Sequence, residues 1–163
     1  MIVGLVVIGL LMLTITTYTV DGESMSPTFS VNDWVLVSMV PTSISSPARG
    51  DMLVFYSPIN ANEKLLKRII GLPHETIVLQ HGQLYIDGEQ LIDQYTTIGC
   101  ADVDCDNRIW QLAENEYFLM GDNRDISIDS RSFGAISREH IVGKVIYTLP
   151  TFPPDKKHKN GLQ

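Results

Sequence analysis

The first twenty residues of the chain are almost entirely apolar, and none of them is Asp, Glu, Lys, Arg or His. An α-helix over residues 1–20 would be about 30 Å long, the thickness of a bilayer's hydrocarbon core. A cleaved signal peptide usually has a basic start and an Ala-x-Ala-like site, and neither is present near Val20. A buried helix of a soluble domain is the other alternative, but an uncharged run of this length is unusual there. The pattern favours a membrane anchor over residues 1–20, with Tyr18 near the interface.

After residue 20 the pattern changes to short apolar runs separated by turn signals, with little helical periodicity. Runs rich in Val, Ile, Leu and Tyr predict strands at 34–38, 52–56, 65–70, 76–80, 83–86, 116–120 and 141–147. His81-Gly82 and Asp87-Gly88 are typical of hairpin turns. The polar residues 93–109 predict a loop or small insertion. The predicted fold is mainly β: an N-terminal transmembrane helix followed by an antiparallel β-sheet domain with a small β insertion.

These patterns divide the chain into an anchor (1–20), one globular domain (21–150) that contains the small insertion (76–111), and a flexible basic tail (151–163). The formal net charge of −7 argues against nucleic acid as a partner, because phosphate binding needs clustered Lys and Arg. The basic residues 156–159 cluster in the tail. That tail is expected to be solvated, with weak attraction to anionic lipid as the alternative.

Two cysteines, Cys100 and Cys105, enclose Ala-Asp-Val-Asp. With no His nearby, a zinc site is not favoured. In an oxidising compartment we expect a disulfide that closes this short loop, the alternative being two free thiols. Since a His-rich metal motif and a phosphate loop are also missing from the sequence, we expect neither a metal nor a cofactor.

The sequence offers little support for a Ser-His-Asp hydrolase. No serine lies in a G-x-S-x-G elbow, and the four histidines are scattered. Residues 121–131 form a dense polar run that loosely matches a calcium loop, but the required Gly and Glu of such a loop are missing. Its many hydrogen-bonding side chains predict a rigid, internally bonded loop.

A Ser-Lys pair needs only a serine and a neutral amine that takes its proton. Ser24 lies four residues after the apolar segment, and Lys67 lies within the apolar run 65–70. A solvated Lys, with a pKa of about 10.4, is almost fully charged at neutral pH, so the base must be desolvated. Arg68, on the opposite face of the strand, could pair with a carboxylate. The alternative is that Lys67 points outward into solvent.

Four blocks of this sequence, in this order and after an apolar segment, resemble those of the type I signal peptidases, the membrane-anchored Ser-Lys leader peptidases of bacteria. The resemblance covers residues 1 to about 147. Its blocks are residues 22–28 (Gly-Glu-Ser-Met-Ser-Pro-Thr), 49–51 (Arg-Gly-Asp), 67–73 (Lys-Arg-Ile-Ile-Gly-Leu-Pro) and 121–131 (Gly-Asp-Asn-Arg-Asp-Ile-Ser-Ile-Asp-Ser-Arg). Together they are far more specific than any one alone.

The resemblance implies roles for individual residues. Ser24 would be the nucleophile, Lys67 the general base, and Ser127 the residue that hydrogen-bonds and orients the Lys67 amine. The backbone N–H of Ser24 would donate to the oxyanion. The implied supporting residues are Gly22, Arg68, Asp129 and Arg131. The walls of shallow substrate pockets would be Met25, Phe29, Leu65 and Leu66.

Three positions depart from the pattern of this family. Gly22 stands where some members have a Ser that supplies a second oxyanion donor. His74-Glu75 replaces the usual Gly-Asp, and Ile126 replaces a common Asn. The last two lie beside the reacting groups, so we expect altered loop packing rather than lost chemistry.

The resemblance implies a membrane-bound serine endopeptidase that cleaves N-terminal signal peptides from exported preproteins. Its partners would be signal peptides with small residues before the cut and membrane lipid, and it would act on the extracytoplasmic side of the cytoplasmic membrane. The closest alternative is a specialised peptidase of the same family that matures one conjugation or pilus protein. A non-catalytic, membrane-tethered β binding domain is an alternative from another class.

Overall fold

The computed structural model describes residues 14–40, 44–92 and 107–149. Within these ranges the chain forms strands, one short helix and two 3-10 turns. They are β1 (Ile15–Thr19), a turn (Glu23–Met25), β2 (Trp34–Ser38), β3 (Met52–Tyr56), β4 (Lys64–Gly71), β5 (Thr76–Gln80), β6 (Gln83–Ile86), β7 (Glu89–Gln90), β8 (Arg108–Gln111), β9 (Glu116–Met120), α1 (Ser130–Phe133), β10 (Ile136–Ser137), a turn (Arg138–His140) and β11 (Ile141–Leu149).

The strands form two antiparallel sheets. Seven strands make the larger sheet, in the order β1-β2-β11-β3-β4-β9-β10, and four make the smaller one, in the order β7-β6-β5-β8. The prediction of a mainly β, antiparallel fold is therefore confirmed. The smaller sheet uses residues 76–90 and 108–111, within the predicted insertion. The division into an anchor, a domain and a tail stays a prediction.

Each of the seven predicted strands is present, but the predicted loop over residues 93–109 is wrong at its end. Arg108 and Ile109 belong to β8, which pairs with β5. The reason is packing, because the ring of Trp110 lies 4.7 Å from that of Phe118 and covers one side of the core. Residues 93–106, which include both cysteines, lie outside the described residues, so the disulfide stays a prediction.

The helix predicted over residues 1–20 is wrong for residues 15–19, which form β1 and pair with β2. The segment Ile-Thr-Thr-Tyr-Thr is rich in β-branched and aromatic side chains, which favour an extended backbone. Within the ranges that the structure describes, no helix has the length and apolar composition needed to cross a bilayer. Residues 1–13 and 150–163, with the rest of the predicted anchor and the tail, lie outside those ranges.

One of three hydrophobic clusters holds the Glu23–Met25 turn against the larger sheet. Met25, the last residue of the turn, and Phe29, four residues later, are 1% and 2% exposed. They pack with residues of β2, β3, β4 and β11, among them Leu66. Burial of one such side chain stabilises the fold by about 1.5–3 kcal/mol, so these two residues fix the turn on β4.

Candidate active site

Ser24 lies in the middle of the Glu23–Met25 turn, where three kinds of contact fix it. The backbone N–H of Ser26 donates to Glu23 O over 3.0 Å and closes the turn. Met25, the next residue along, is buried in the core. The backbone N–H of Asn123, from the loop after β9, donates to the carbonyl oxygen of Ser24 over 3.0 Å. The backbone of Ser24 is thus held from both sides, while its side chain faces a groove.

Lys67 lies on β4 with 3% of its surface exposed, and its Nζ is 2.6 Å from Ser24 Oγ. The alternative of an outward-pointing lysine is therefore excluded. Burial lowers the pKa of Lys67 to about 8, because the charged amine loses its hydration. The negative charges of Asp129, Glu63 and Asp122 act in the opposite direction and raise that pKa, but they have smaller effects.

Arg68 points to the opposite face of β4 and pairs with a carboxylate, as its place in the strand predicts. Its Nε and Nη2 donate to the two oxygens of Asp122 over 2.8 and 2.7 Å. Both side chains are buried. Thr28 Oγ1 donates to the same carboxylate, and Arg68 Nη1 donates to Gly50 O. This cluster joins the segment after Ser24, the strand that carries Lys67 and the loop after β9.

Asp129 and Arg131 form a second buried ion pair, 2.9 Å apart, inside that loop. Asp129 accepts hydrogen bonds from the backbone of Gly121 and Arg131, and Arg131 Nη2 donates to Arg124 O. The loop is therefore rigid and internally bonded, as its composition predicts. Neither residue contacts Ser24 Oγ or Lys67 Nζ through a hydrogen bond, so their influence is positional and electrostatic.

Ser127 is 6% exposed, and its Oγ has no hydrogen-bond partner within the described part of the chain. The hydrogen bond to Lys67 expected from the sequence is therefore not made in this structure. Ser127 Oγ instead packs beside the Cα of Gly121. A Cβ on Gly121 would lie 2.2 Å from Ser127 Oγ and 2.5 Å from the carbonyl oxygen of Ser24. Gly121 is the residue whose missing side chain lets the two serines approach.

A groove of about 600 Å³ runs past Ser24 and Lys67. Of the predicted pocket residues, Met25, Leu65 and Leu66 line it, whereas Phe29 is buried in the core and does not. Gly22 also lines it, and a Cβ there would meet nothing within 4 Å.

Several residues of the groove and of the buried cluster beside it are not predicted from the sequence. Asp122 pairs with Arg68, although only its place in the polar run 121–131 hinted at a role. Tyr18, Val20, Asp21 and Glu63 line the groove, but their local sequence carries no signal for it. The pKa of Tyr18 is raised to about 12, chiefly by burial and then by the charges of Asp21 and Glu63.

The histidines within the described ranges lie apart from this centre. His74, His81 and His140 are exposed, and none lines the groove. Within the same ranges no three His, Cys, Asp or Glu side chains are grouped as metal ligands would be. The chemistry available in the groove is thus a serine hydroxyl in contact with a desolvated amine.

Comparison with known proteins yields relatives along nearly the whole chain. The family model described as signal peptidase, peptidase S26, matches residues 1–149. The chain is 30% identical to signal peptidase IB of Staphylococcus aureus over 161 residues, which covers 90% of this chain and 83% of that protein. It is 33% identical to signal peptidase I of Bacillus amyloliquefaciens over 150 residues, covering 87% and 80% of the two chains. The crystal structure of a signal peptidase I from Enterococcus faecalis superposes with a TM-score of 0.53 at 30% identity, covering 62% of this chain and 97% of that one.

Proposed function

Because this chain belongs to the signal peptidase family, peptidase S26, we propose that its groove is where Ser24 attacks the bond that joins a signal peptide to a preprotein. As a member of that family, the protein is a serine-type endopeptidase that cleaves signal peptides. The observation that carries the site assignment is the 2.6 Å contact between Lys67 Nζ and Ser24 Oγ in a setting that lowers the pKa of Lys67.

The proposed reaction begins with Lys67 in its neutral form. Its amine takes the proton of Ser24 Oγ as the oxygen attacks the scissile carbonyl carbon. The ammonium then gives that proton to the leaving amine, and the C–N bond breaks to leave an acyl ester on Ser24. A water molecule, deprotonated by the same amine, hydrolyses the ester and restores the serine. Each step moves one proton between Lys67 and a reacting atom.

The oxyanion of both tetrahedral intermediates needs hydrogen-bond donors. We assign one to the backbone N–H of Ser24, since one such donor is worth about 2.7–4 kcal/mol in other hydrolases. Gly22 has no side chain to give a second donor, although the space beside it is open. The hydrogen bond from the Ser26 N–H to Glu23 O supports the assignment, because the Glu23 carbonyl and the Ser24 N–H belong to the same peptide plane.

Ser127 is proposed to orient the Lys67 amine during the reaction. Its hydroxyl is buried and has no hydrogen-bond partner among the described residues. A buried polar group without a hydrogen bond lowers the stability of the fold, and a contact with the Lys67 amine during catalysis would give this hydroxyl a partner. A lysine side chain has four rotatable bonds, so a second polar contact would narrow its orientations toward Ser24.

The groove is proposed to hold the residues before the cut in an extended conformation. Met25, Leu65 and Leu66 give it apolar walls close to the catalytic pair, which suits small side chains in an Ala-x-Ala-like sequence. The preference for small residues then follows because these walls sterically exclude larger side chains.

We further propose that the protein acts at the extracytoplasmic surface of the cytoplasmic membrane. Trp34 and Tyr147 are 48% and 59% exposed on strands β2 and β11, and β2 pairs with β1, which follows the predicted anchor. Val35 and Val37 point into the core, so Trp34 and Leu36 face outward, and Tyr147 lies opposite Leu36 on the same face. Trp and Tyr side chains favour the membrane interface.

The test is cleavage by the purified full-length chain of a panel of unrelated preproteins, with the cut sites identified by N-terminal sequencing. We expect cuts after small residues, none by Ser24→Ala, and an acylating serine probe to label Ser24. Cleavage of one preprotein alone would favour the specialised peptidase, and absence of both cleavage and labelling would favour the binding domain.

A further inference from the structure

The groove runs along an exposed edge of β4. The N–H and C=O of Ile69 both bond to the segment that leads into β3, through Asp51 and Gly50. Because these groups alternate in direction along a strand, those of Lys64, Leu66 and Arg68 point the other way. On that side β9 ends at Met120, opposite Arg68. The backbone groups of Lys64 and Leu66 are therefore left facing the groove.

An extended peptide can pair with such an edge by main-chain hydrogen bonds. At one end of this edge, the Lys64 carbonyl already accepts a hydrogen bond within the protein. Tyr18, on β1 at the opposite wall of the groove, donates from its hydroxyl to the carbonyl oxygen of Lys64 over 3.0 Å. Lys64 lies three positions from Lys67, which is about 10 Å along a strand. Leu66, nearer the catalytic pair, lines the groove.

We propose that the Tyr18 hydroxyl is a specificity-determining group: by occupying the Lys64 carbonyl it ends the peptide-binding edge of β4 at Leu66 and confines recognition to the residues nearest the cut. This inference rests on the proposed function, in which the groove holds the residues before the cut. A substrate residue farther upstream finds no free acceptor on β4, so it adds little to binding.

The state of the Tyr18 hydroxyl supports this role. Its burial and the charges of Asp21 and Glu63 raise its pKa to about 12, so the hydroxyl keeps its proton, and can donate, at pH values below that. The Lys64 ammonium does not compete with the Tyr18 hydroxyl for this carbonyl, because the ammonium lies over the Tyr56 ring on the neighbouring strand, 5.5 Å from the ring centre.

The experiment compares Tyr18→Phe with the unchanged full-length protein on two peptides with the same cleavage site. One peptide begins three residues before the cut and the other extends several residues farther. Removal of the hydroxyl frees the Lys64 carbonyl. We expect the long peptide to gain about two- to tenfold in kcat/KM through a lower KM, the range of one net hydrogen bond, and the short one to change little. N-methylation removes the N–H of the long peptide that would bond to the freed Lys64 carbonyl. It should therefore abolish the gain in kcat/KM of Tyr18→Phe and leave the kcat/KM of the unchanged protein as it was.

Tyr56→Phe is the matched control, because Tyr56 is an exposed tyrosine outside the groove, and it should not alter the ratio between the two peptides. The inference is overturned if Tyr18→Phe changes kcat/KM for both peptides equally. It is also overturned if N-methylation at every position tested affects the kcat/KM of Tyr18→Phe and of the unchanged protein alike. Failure of the proposed function is a different result, in which the unchanged protein cuts neither peptide.

Discussion

The backbone N–H of Asn123 donates to the carbonyl oxygen of Ser24 over 3.0 Å, so the loop after β9 is attached directly to the proposed nucleophile. The same loop is braced by the buried Asp129–Arg131 pair and by the contact between Asp122 and Arg68. Its role follows from these contacts. It positions the serine and supplies negative charge near Lys67, while Ser24 and Lys67 are the residues proposed to carry out the chemistry.

Gly121→Ala tests that positioning. A Cβ would lie 2.5 Å from the Ser24 carbonyl oxygen and 2.6 Å from Ser127 Cβ, so the loop or the turn must move. A displacement of about 1 Å at a catalytic group costs on the order of a hundredfold in rate, and we expect a loss of that size in kcat with a smaller change in KM. Circular dichroism checks that the variant is folded, and near-normal turnover by it would contradict the positioning role.

Ser24→Ala and Lys67→Ala should each reduce cleavage to near background while the fold is kept. One removes the nucleophile and the other its base, so the double variant should be little worse than the worse single variant. Steady-state kinetics on one peptide measures this. Lys144→Ala is the control, because Lys144 pairs with Asp51 on the sheet, away from the groove. A Lys67→Ala protein that cuts normally would contradict the Ser-Lys mechanism.

The pH dependence of kcat/KM should report the neutral Lys67 amine. Burial lowers its pKa to about 8, so the active form increases as pH rises through that value. Below it, activity should fall about tenfold per pH unit, and at pH 7 about a tenth of the enzyme should be competent. A profile measured from pH 5 to 10 checks this. A maximum near pH 5 with loss by pH 8 would contradict an amine base.

Lys67→Met should raise the free energy of unfolding at pH 7. The folded-state pKa of about 8 lies below the unfolded value, so the folded state binds fewer protons between these pKa values and its stability rises with pH there. Below both values the charged amine costs up to about 3 kcal/mol, which the methionine avoids. In urea denaturation, the free energy of unfolding of Lys67→Met should exceed that of the unchanged protein at pH 7, and the difference should be smaller at pH 10.

The control for this measurement is Lys144→Met, because Lys144 is 36% exposed and forms a surface ion pair. Such pairs contribute little, so its difference from the unchanged protein should vary only slightly between the two pH values. A Lys67→Met protein that is less stable than the unchanged chain at pH 7 would show that the site does not disfavour the charged amine.

Ser127→Ala and Ser130→Ala should separate an orienting role from a structural one. Ser127 Oγ is buried and makes no hydrogen bond within the described residues, so its loss should not lower stability and should lower kcat more than it raises KM. Ser130 Oγ accepts from the buried N–H of Leu119, so its loss should cost about 1–3 kcal/mol in stability with less effect on kcat. Equal losses of kcat would remove Ser127 as the orienting residue.

Most strands could be predicted because their signal is local. β2, β3 and β9 are short runs of apolar residues between turn residues, and such runs are visible in the sequence itself. The two errors have a common origin. Residues 15–19 continue an apolar stretch and residues 108–109 end a polar one, so local composition predicts for each the structure of its neighbours. Pairing with β2 and β5 decided their actual structure.

The candidate site divides in the same way. The sequence by itself supplied the reactive residue types, their place in ordered motifs and the apolar surroundings of Lys67, since these are properties of neighbouring positions. Only the tertiary structure decided that Lys67 is buried, that its amine meets a hydroxyl 43 positions away, that Ser127 lacks the expected hydrogen bond, and that the Tyr18 hydroxyl donates to the Lys64 carbonyl. These features depend on distances between strands that are far apart along the chain, and residue spacing does not determine such distances.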